Sequence, residues 1–264
     1  MLMAVDIGNT QTVLGFFEEE RLRASWRMTT EPYRSPDEIG AACAALFALR
    51  GMSLEDADAM IVSSVVPDLT GTYRHLAGDI LRIPFYSVGP GMDLGMENRY
   101  DDPAAVGADR LVNAVAACRY YGTPAIIADS GTATTVCAVD AGGAYRGGAI
   151  LPGLYVSMDA LASRTAKLPR VDLEEEPPRA IATNTPDSIR SGFIYGYAGA
   201  VDALIRRFRE ELAAEGSVEG LRVVATGGLS PVIFRYCREI EVLDPDLTLK
   251  GLQVLYSLNA SRTR

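Results

Sequence analysis

The sequence predicts an α/β protein made from two copies of one unit, and three observations predict it. The phrase Asp6-Ile7-Gly8-Asn9-Thr10-Gln11-Thr12-Val13 returns as Asp129-Ser130-Gly131-Thr132-Ala133-Thr134-Thr135-Val136, with Asp, Gly, the second Thr and Val matching directly. Each copy opens the same succession of strand, turn, strand and strand, followed by helix. The 264 residues, 48% hydrophobic and 22% charged, suffice for one large domain or two modest ones with real cores. The expected halves are 1–120 and 121–264.

The elements follow in order. Apolar runs at 3–7 and 11–17 flank Gly8-Asn9-Thr10, a hairpin turn, and 22–28 supplies a third strand. Ser35-Pro36-Asp37-Glu38 starts a helix, with Ser35 at the cap and Pro36 in the first turn, and Gly51 stops it. The run 59–67 is a buried strand ending at Pro67; a helix over 68–81 and the short strand Pro84-Phe85-Tyr86-Ser87-Val88 come next. Residues 89–110 are rich in Gly, Pro and Asp without periodicity, the kind of long loop that is often functional. A helix over 109–121 precedes the second copy, with strands at 125–129, 132–139 and 144–151 and a helix from 152 to 165. After a polar, proline-rich loop that includes Glu174-Glu175-Glu176, a long helix spans 187–214. Strands at 222–228 and 240–243 and a helix over 247–258 close the chain.

Composition removes several function classes. The net charge is −9 and no Lys/Arg block occurs, which argues against a nucleic-acid partner. Cys43, Cys118, Cys137 and Cys237 are widely spaced, which fits reduced thiols rather than a metal cluster or disulfide scaffold. No basic segment with a long apolar run opens the chain. Nowhere do about 18 consecutive apolar residues occur, so no membrane span is expected and the sequence reads as cytoplasmic.

The repeated turn has its own chemistry. Glycine lets the backbone turn tightly and approach a ligand. Successive N–H groups and Thr or Asn side chains bind phosphate oxygens. An Asp at the strand end holds a hard cation directly or through water. Two such hairpins facing each other would grip a polyphosphate without lysine, and the chain has only Lys167 and Lys250. There is no P-loop and no protein-kinase signature set. Gly89-Pro90-Gly91 through Gly95 has the wrong spacing for a dinucleotide loop.

The double D-x-G hairpin resembles the actin, Hsp70 and sugar-kinase superfamily. Within it, "DIGNTQTV", "SSVVP" (63–67), "NRYDDPAAVGADR" (98–110), "DSGTATTV", "GGAILPG" (147–153), "NTPDSIRSG" (184–192), "ATGG" (225–228) and "LTLKGL" (247–252) resemble, in order, segments of the type III pantothenate kinases. The resemblance covers essentially the whole chain. It departs at Ser130, where the family usually carries an apolar residue. It implies two duplicated ribonuclease-H-like, actin-like ATPase domains with a nucleotide cleft between them. The implied reaction is transfer of the γ-phosphoryl group of ATP to pantothenate, giving 4′-phosphopantothenate in the first step of coenzyme A synthesis. On this resemblance Asp6, Ile7, Gly8, Asn9, Thr10, Gln11, Thr12 and Val13 form the first ATP phosphate loop, with Asp6 near Mg²⁺. Asp129 binds a monovalent cation, K⁺ or NH₄⁺, and Thr132 contacts ATP phosphate. Tyr100, Gly107, Ala108, Asp109, Arg110 and Thr185 contact pantothenate, and Asp109 is the catalytic base. Gly227 and Gly228 lie near the adenosine. A homodimer with substrate beside the subunit interface is implied too.

Residue chemistry is compatible. Asp109 opens a predicted helix, where the dipole favours a carboxylate; a plain N-cap is the alternative. It is too weak a base to deprotonate an alcohol outright, so its use is to orient the hydroxyl and take the proton as oxygen attacks phosphorus. Arg110 suits either a substrate carboxylate or a surface ion pair. His75, the only histidine, has no partner motif, and Phe193, Tyr195 and Tyr197 read as packing or a subunit contact. Two rival functions share the hairpins: a nucleotide-dependent regulator, and a kinase for another small alcohol. The Gly107-Ala108-Asp109-Arg110 segment and Tyr100 disfavour the first; Tyr100, Asp109 and Thr185 as a set disfavour the second.

Overall fold

The computed structural model describes residues 1–173, 175, 179–216 and 218–260. Glu174 and Glu176 of the acidic loop lie outside these. The chain divides into two compact units, one formed by Met1–Arg119 with the chain from Asp246 onward, the other by Tyr120–Pro245. The expected second half, 121–264, therefore gives up its last helix to the first unit.

The first unit is built on β1 (Leu2–Ile7), β2 (Gln11–Glu18), β3 (Arg21–Thr29), β4 (Ala59–Ser64) and β5 (Phe85–Ser87), in the order β3-β2-β1-β4-β5. β2 runs antiparallel to β1 and β3, while β4 runs parallel to β1 and β5. Alternation sorts its side chains onto two covered faces. Met3, Val5, Ile7, Leu14 and Phe16 face α1 (Pro36–Ala48) and α2 (Pro67–His75), where Trp26 stacks on Phe47 at 4.3 Å. Leu2, Ala4, Phe17, Ala59 and Ile61 face α3 (Ala108–Tyr121) and α7 (Leu247–Ala260) through Val112, Val115, Leu249, Leu252 and Leu255. That apolar stripe is why α7 joins the first sheet. α1 begins with a capping box: Ser35 Oγ accepts from Glu38 N–H and Ser35 N–H donates to Glu38 Oε2. β4 stops at Ser64, short of Pro67, because Ser64 Oγ bonds both the carbonyl (2.9 Å) and the N–H (3.0 Å) of Val66 and turns the chain.

The second unit repeats this plan. β6 (Ala125–Ser130), β7 (Ala133–Val139), β8 (Tyr145–Pro152), β9 (Arg222–Thr226) and β10 (Val242–Leu243) lie in the order β10-β9-β6-β7-β8, with β7 antiparallel to β6 and β8, and β9 parallel to β6 and β10. Ile126, Ala128, Val136 and Ala138 pack on Val201, Ile205 and Leu212 of α5 (Thr185–Glu215). α4 (Leu154–Arg164) and the short α6 (Ser230–Phe234), which the sequence pattern does not reveal, complete a second cluster with α5. Among the described residues no helix is long and apolar enough to cross a membrane.

Candidate active site

Both hairpins end the central strand of a sheet, at the carboxyl end that it shares with its one parallel neighbour, β4 or β9, the edge at which open α/β sheets bind ligands. In the first, Asp6 pairs with Val13 and Ile7 with Thr12, leaving the four-residue loop 8–11, closed by Gly8 N–H to the Gln11 carbonyl at 3.0 Å. Asn9, Thr10 and Gln11 are exposed, and Asp6 is half-buried. Ile7 points into the core and Val13 packs against the opposite face, and the Ile7 carbonyl accepts from the Val65 N–H at 3.0 Å. Thr12 is 2% exposed, and its hydroxyl bonds that of Thr30 at 2.9 Å. Thr30 also donates to the Gly8 carbonyl (2.8 Å), and its N–H reaches the Thr10 carbonyl (3.0 Å). Thr30 thus fastens the loop from beneath, a role not assigned from the sequence; the signal was a threonine just past a strand in register with the hairpin.

The second hairpin is one residue shorter. Asp129 pairs with Thr135 and Ser130 with Thr134, leaving only Gly131, Thr132 and Ala133. The gapless alignment of the two phrases therefore slips by one beyond the glycine. Thr12 corresponds to Thr134, 1% exposed, rather than to Thr135. Gly153 N–H bonds the Thr132 carbonyl at 3.0 Å, so Gly153 stands where Thr30 stands in the first half. A Cβ there would lie 2.2 Å from the Thr132 carbonyl oxygen, so no side chain can repeat the Thr30 clamp. Instead Tyr197 reaches from α5 and donates its hydroxyl to the Pro152 carbonyl. Gly227 has φ +92°, and a Cβ on it would meet Asp129 Oδ1 at 2.3 Å and the Ser130 carbonyl oxygen at 2.6 Å. Gly227 thus lies against the Asp129 carboxylate.

Asp109 sits within the first turn of α3, after Gly107, rather than capping it from outside. Its Oδ1 accepts from the Arg110 N–H at 2.9 Å and would lie 2.6 Å from a Cβ at 107. Burial pushes its pKa up from the ordinary 3.8, opposed by the Arg110 N–H bond and charge. Arg110 is 6% exposed, which rules out a surface ion pair, and its guanidinium carbon lies 5.8 Å from the Tyr100 ring centroid. Tyr100 is set by its N–H to Asn98 Oδ1 at 3.1 Å. Tyr100, Gly107, Ala108, Asp109 and Arg110 are therefore one constellation. Thr185 belongs to the second unit, exposed in the first turn of α5 behind the Asn184 cap, and Thr132 is exposed at its hairpin tip. His75 is an exposed residue ending α2.

Ser63 on β4 is fully buried, and its hydroxyl is one of several buried polar groups without a hydrogen-bond partner among the described residues, with Trp26 Nε1 and Thr134 Oγ1. Such an orphan costs ~1–3 kcal/mol. It stands in register with Asp6 on the neighbouring parallel strand.

The family model described as type III pantothenate kinase matches residues 2–207. A type III pantothenate kinase from Rubrobacter xylanophilus is 93% identical over 264 residues, covering 100% of both chains. The chain belongs to the type III pantothenate kinase family. Solved structures similar to this family member include a Campylobacter jejuni protein assigned to the Baf transcriptional activators (TM-score 0.60, 16% identity, 98% and 99% of the two chains covered). An activator of 2-hydroxyisocaproyl-CoA dehydratase from Clostridium difficile, with bound ADPNP, gives TM-score 0.53 at 14% identity, covering 99% and 96%. A ROK hexokinase from Thermus thermophilus gives 0.51 at 14%, covering 100% and 99%. At these identities the likeness concerns the fold, which is the duplicated actin-like one.

Proposed function

We propose that this protein transfers the γ-phosphoryl group of ATP to the primary hydroxyl of pantothenate, with Asp109 as the base. The observation that carries this reading is the Asp109 carboxylate, fixed by the Arg110 N–H, relieved of water and grouped with Tyr100 and the buried Arg110. A carboxylate with a raised pKa is a better proton acceptor than an exposed one. It still lies far below an alcohol, so it orients the hydroxyl and takes its proton as the oxygen attacks phosphorus. Arg110 pairs with the substrate carboxylate, and Tyr100 and Thr185 complete the pantothenate contacts.

The exposed backbone and side chains of Gly8–Gln11, together with Thr132, hold phosphate oxygens. Asp6, an oxygen donor in register with Ser63 and its orphaned hydroxyl, suits a hard divalent ion taken up through water. When bound with ATP, Mg²⁺ supplies charge neutralisation at the phosphate oxygens. The Asp129 carboxylate and the Ser130 carbonyl, both close to Gly227, offer oxygen donors only, a set suited to K⁺ or NH₄⁺, and we assign the monovalent site to Asp129. We assign a homodimer as well, on the exposed Ile150, Val156, Ile181 and Tyr195 of the second unit. The four cysteines form no disulfide among the described residues, which fits a reducing cytoplasm.

ADP release from Mg-ATP with and without pantothenate, in K⁺ and then Na⁺ buffer, tests the reading. Pantothenate-dependent turnover that needs K⁺ and falls about 10²–10⁴-fold in Asp109→Asn is the expected result. ATP binding without turnover would leave a nucleotide-dependent regulator as the better reading.

A further inference from the structure

The row of side chains leading to Asp6 singles out Ser63. On β1, Leu2 and Ala4 face the core shared with α3 and α7, and on β4 so do Ala59 and Ile61. Asp6 and Ser63 are the next members of these alternating rows, paired in parallel register at the carboxyl ends of the two central strands. Ser63 therefore lies on the Asp6 face of the sheet, in register with Asp6, with its hydroxyl fully buried and without a partner among the described residues. Its neighbour Ser64 is spent on the turn that ends β4, so the two adjacent serines do different work. Buried hydroxyls without a partner are rare because they have given up water for nothing. The second half repeats the placement: Thr226, 1% exposed, stands in the same register beside Asp129. Two halves with different loops both keep a hydroxyl residue in the strand next to the aspartate.

We propose that Ser63 is a further positioning residue of the Asp6 cation site, its hydroxyl holding a water in the shell of the divalent ion that accompanies the nucleotide. This rests on the assignment of Asp6 made above. A water held between the Ser63 hydroxyl and the Asp6 carboxylate satisfies the hydroxyl and fixes the carboxylate's direction, as outer-shell partners do at other metal centres.

The test titrates Mn²⁺ into the full-length protein with ADP bound and reads free Mn²⁺ by electron paramagnetic resonance, so no turnover is needed. Asp6→Asn, Ser63→Ala, Ser63→Thr and Ser63→Val are compared with the unchanged protein. Ser63→Ala is expected to weaken Mn²⁺ binding about tenfold, while the melting temperature without nucleotide stays the same or rises, because an unsatisfied hydroxyl has been removed. The Thr and Val variants are isosteric and differ in the hydroxyl alone. Thr is expected to keep the affinity and Val to lose it, whatever the added methyl costs the fold. Equal affinity in these two variants, or unchanged affinity in Ser63→Ala, overturns the proposal while leaving Asp6 in place. Unchanged affinity in Asp6→Asn overturns the assignment of Asp6 and the proposal with it.

Discussion

The two hairpins occupy the same address in two sheets of identical strand order, yet they are held in different ways. The first has a four-residue loop fastened by a side chain, Thr30, which bonds both the Gly8 carbonyl and the buried Thr12 hydroxyl. The second has a three-residue loop fastened by close backbone approach, with Gly153 against Thr132 and Gly227 against Asp129. The extra residue lifts the first loop off its neighbour and leaves room for a hydroxyl between them. Without it, the carbonyls of Gly131 and Thr132 fill that space. The two halves share the sheet order and differ in the length and fastening of this loop.

Gly227 is where this contrast breaks most sharply. Its counterpart in the first half, one residue past the strand position paired with the aspartate, is Ser64, whose side chain turns away to bond Val66. Gly227→Ala combines a positive φ with a Cβ driven into the Asp129 carboxylate. It is expected to displace Asp129 by an ångström or so and cut turnover about 100-fold, with the K⁺ dependence proposed above lost or shifted. Ser64→Ala, the matched change, is expected to cost about 1 kcal/mol of stability and leave turnover near normal. Steady-state rates and urea midpoints of the pair check this; similar losses in both would mean the halves are fastened alike.

Thr30→Val comes next in size. Valine keeps the shape and removes the hydroxyl, leaving the Thr12 hydroxyl buried without its partner. The expected cost is about 2–3 kcal/mol, read as a lower urea midpoint. A raised KM for ATP should accompany it, with kcat much less affected, because the first loop is loosened and Asp109 is untouched. A drop in kcat at unchanged KM would sink the view that Thr30 serves the phosphate loop.

Much of this was legible in the sequence. The repeat, the strand succession and the D-x-G turns follow from glycine and aspartate chemistry at strand ends, and Tyr100, Asp109 and Arg110 do fall into one constellation. The one-residue slip was hidden because Thr134 and Thr135 are adjacent threonines, so a gapless match looked as good as the true register. Thr30, Ser63 and Tyr197 were hidden for another reason: each acts across strands or from a helix far along the chain, and no local pattern announces a hydroxyl's partner. The last helix joins the first unit although it follows the second in sequence; its apolar stripe shows that it packs without saying on which sheet.

Tyr197→Phe probes the second fastening with a smaller expected effect. The lost hydroxyl bond to Pro152 is worth about 1 kcal/mol. Because β8 leads into Gly153, the change is expected to raise the K⁺ concentration for half-maximal activity more than KM for ATP. The opposite ratio would place Tyr197 in the service of nucleotide binding.

The smallest expected effect on stability concerns Asp109, in the first turn of α3 in the first unit. Burial raises its pKa above 3.8 in the folded chain, so the folded state binds this proton more tightly than the unfolded one. Between the two pKa values the unfolded state carries fewer protons, and stability falls as pH rises through that window. Above the window the charged carboxylate is a constant burden on the fold. Asparagine keeps an oxygen for the Arg110 N–H and carries no charge. Urea midpoints of Asp109→Asn and the unchanged protein should therefore nearly coincide at about pH 4 and diverge in favour of asparagine by about pH 7. The same raised pKa should place the acid limb of kcat/KM above the ordinary carboxylate range, because the base must be ionised to accept the hydroxyl proton. A variant that is inactive yet more stable at neutral pH would mark Asp109 as a group the fold tolerates for its chemistry. A variant less stable at every pH would make the carboxylate a structural anchor, and the base would have to be sought elsewhere.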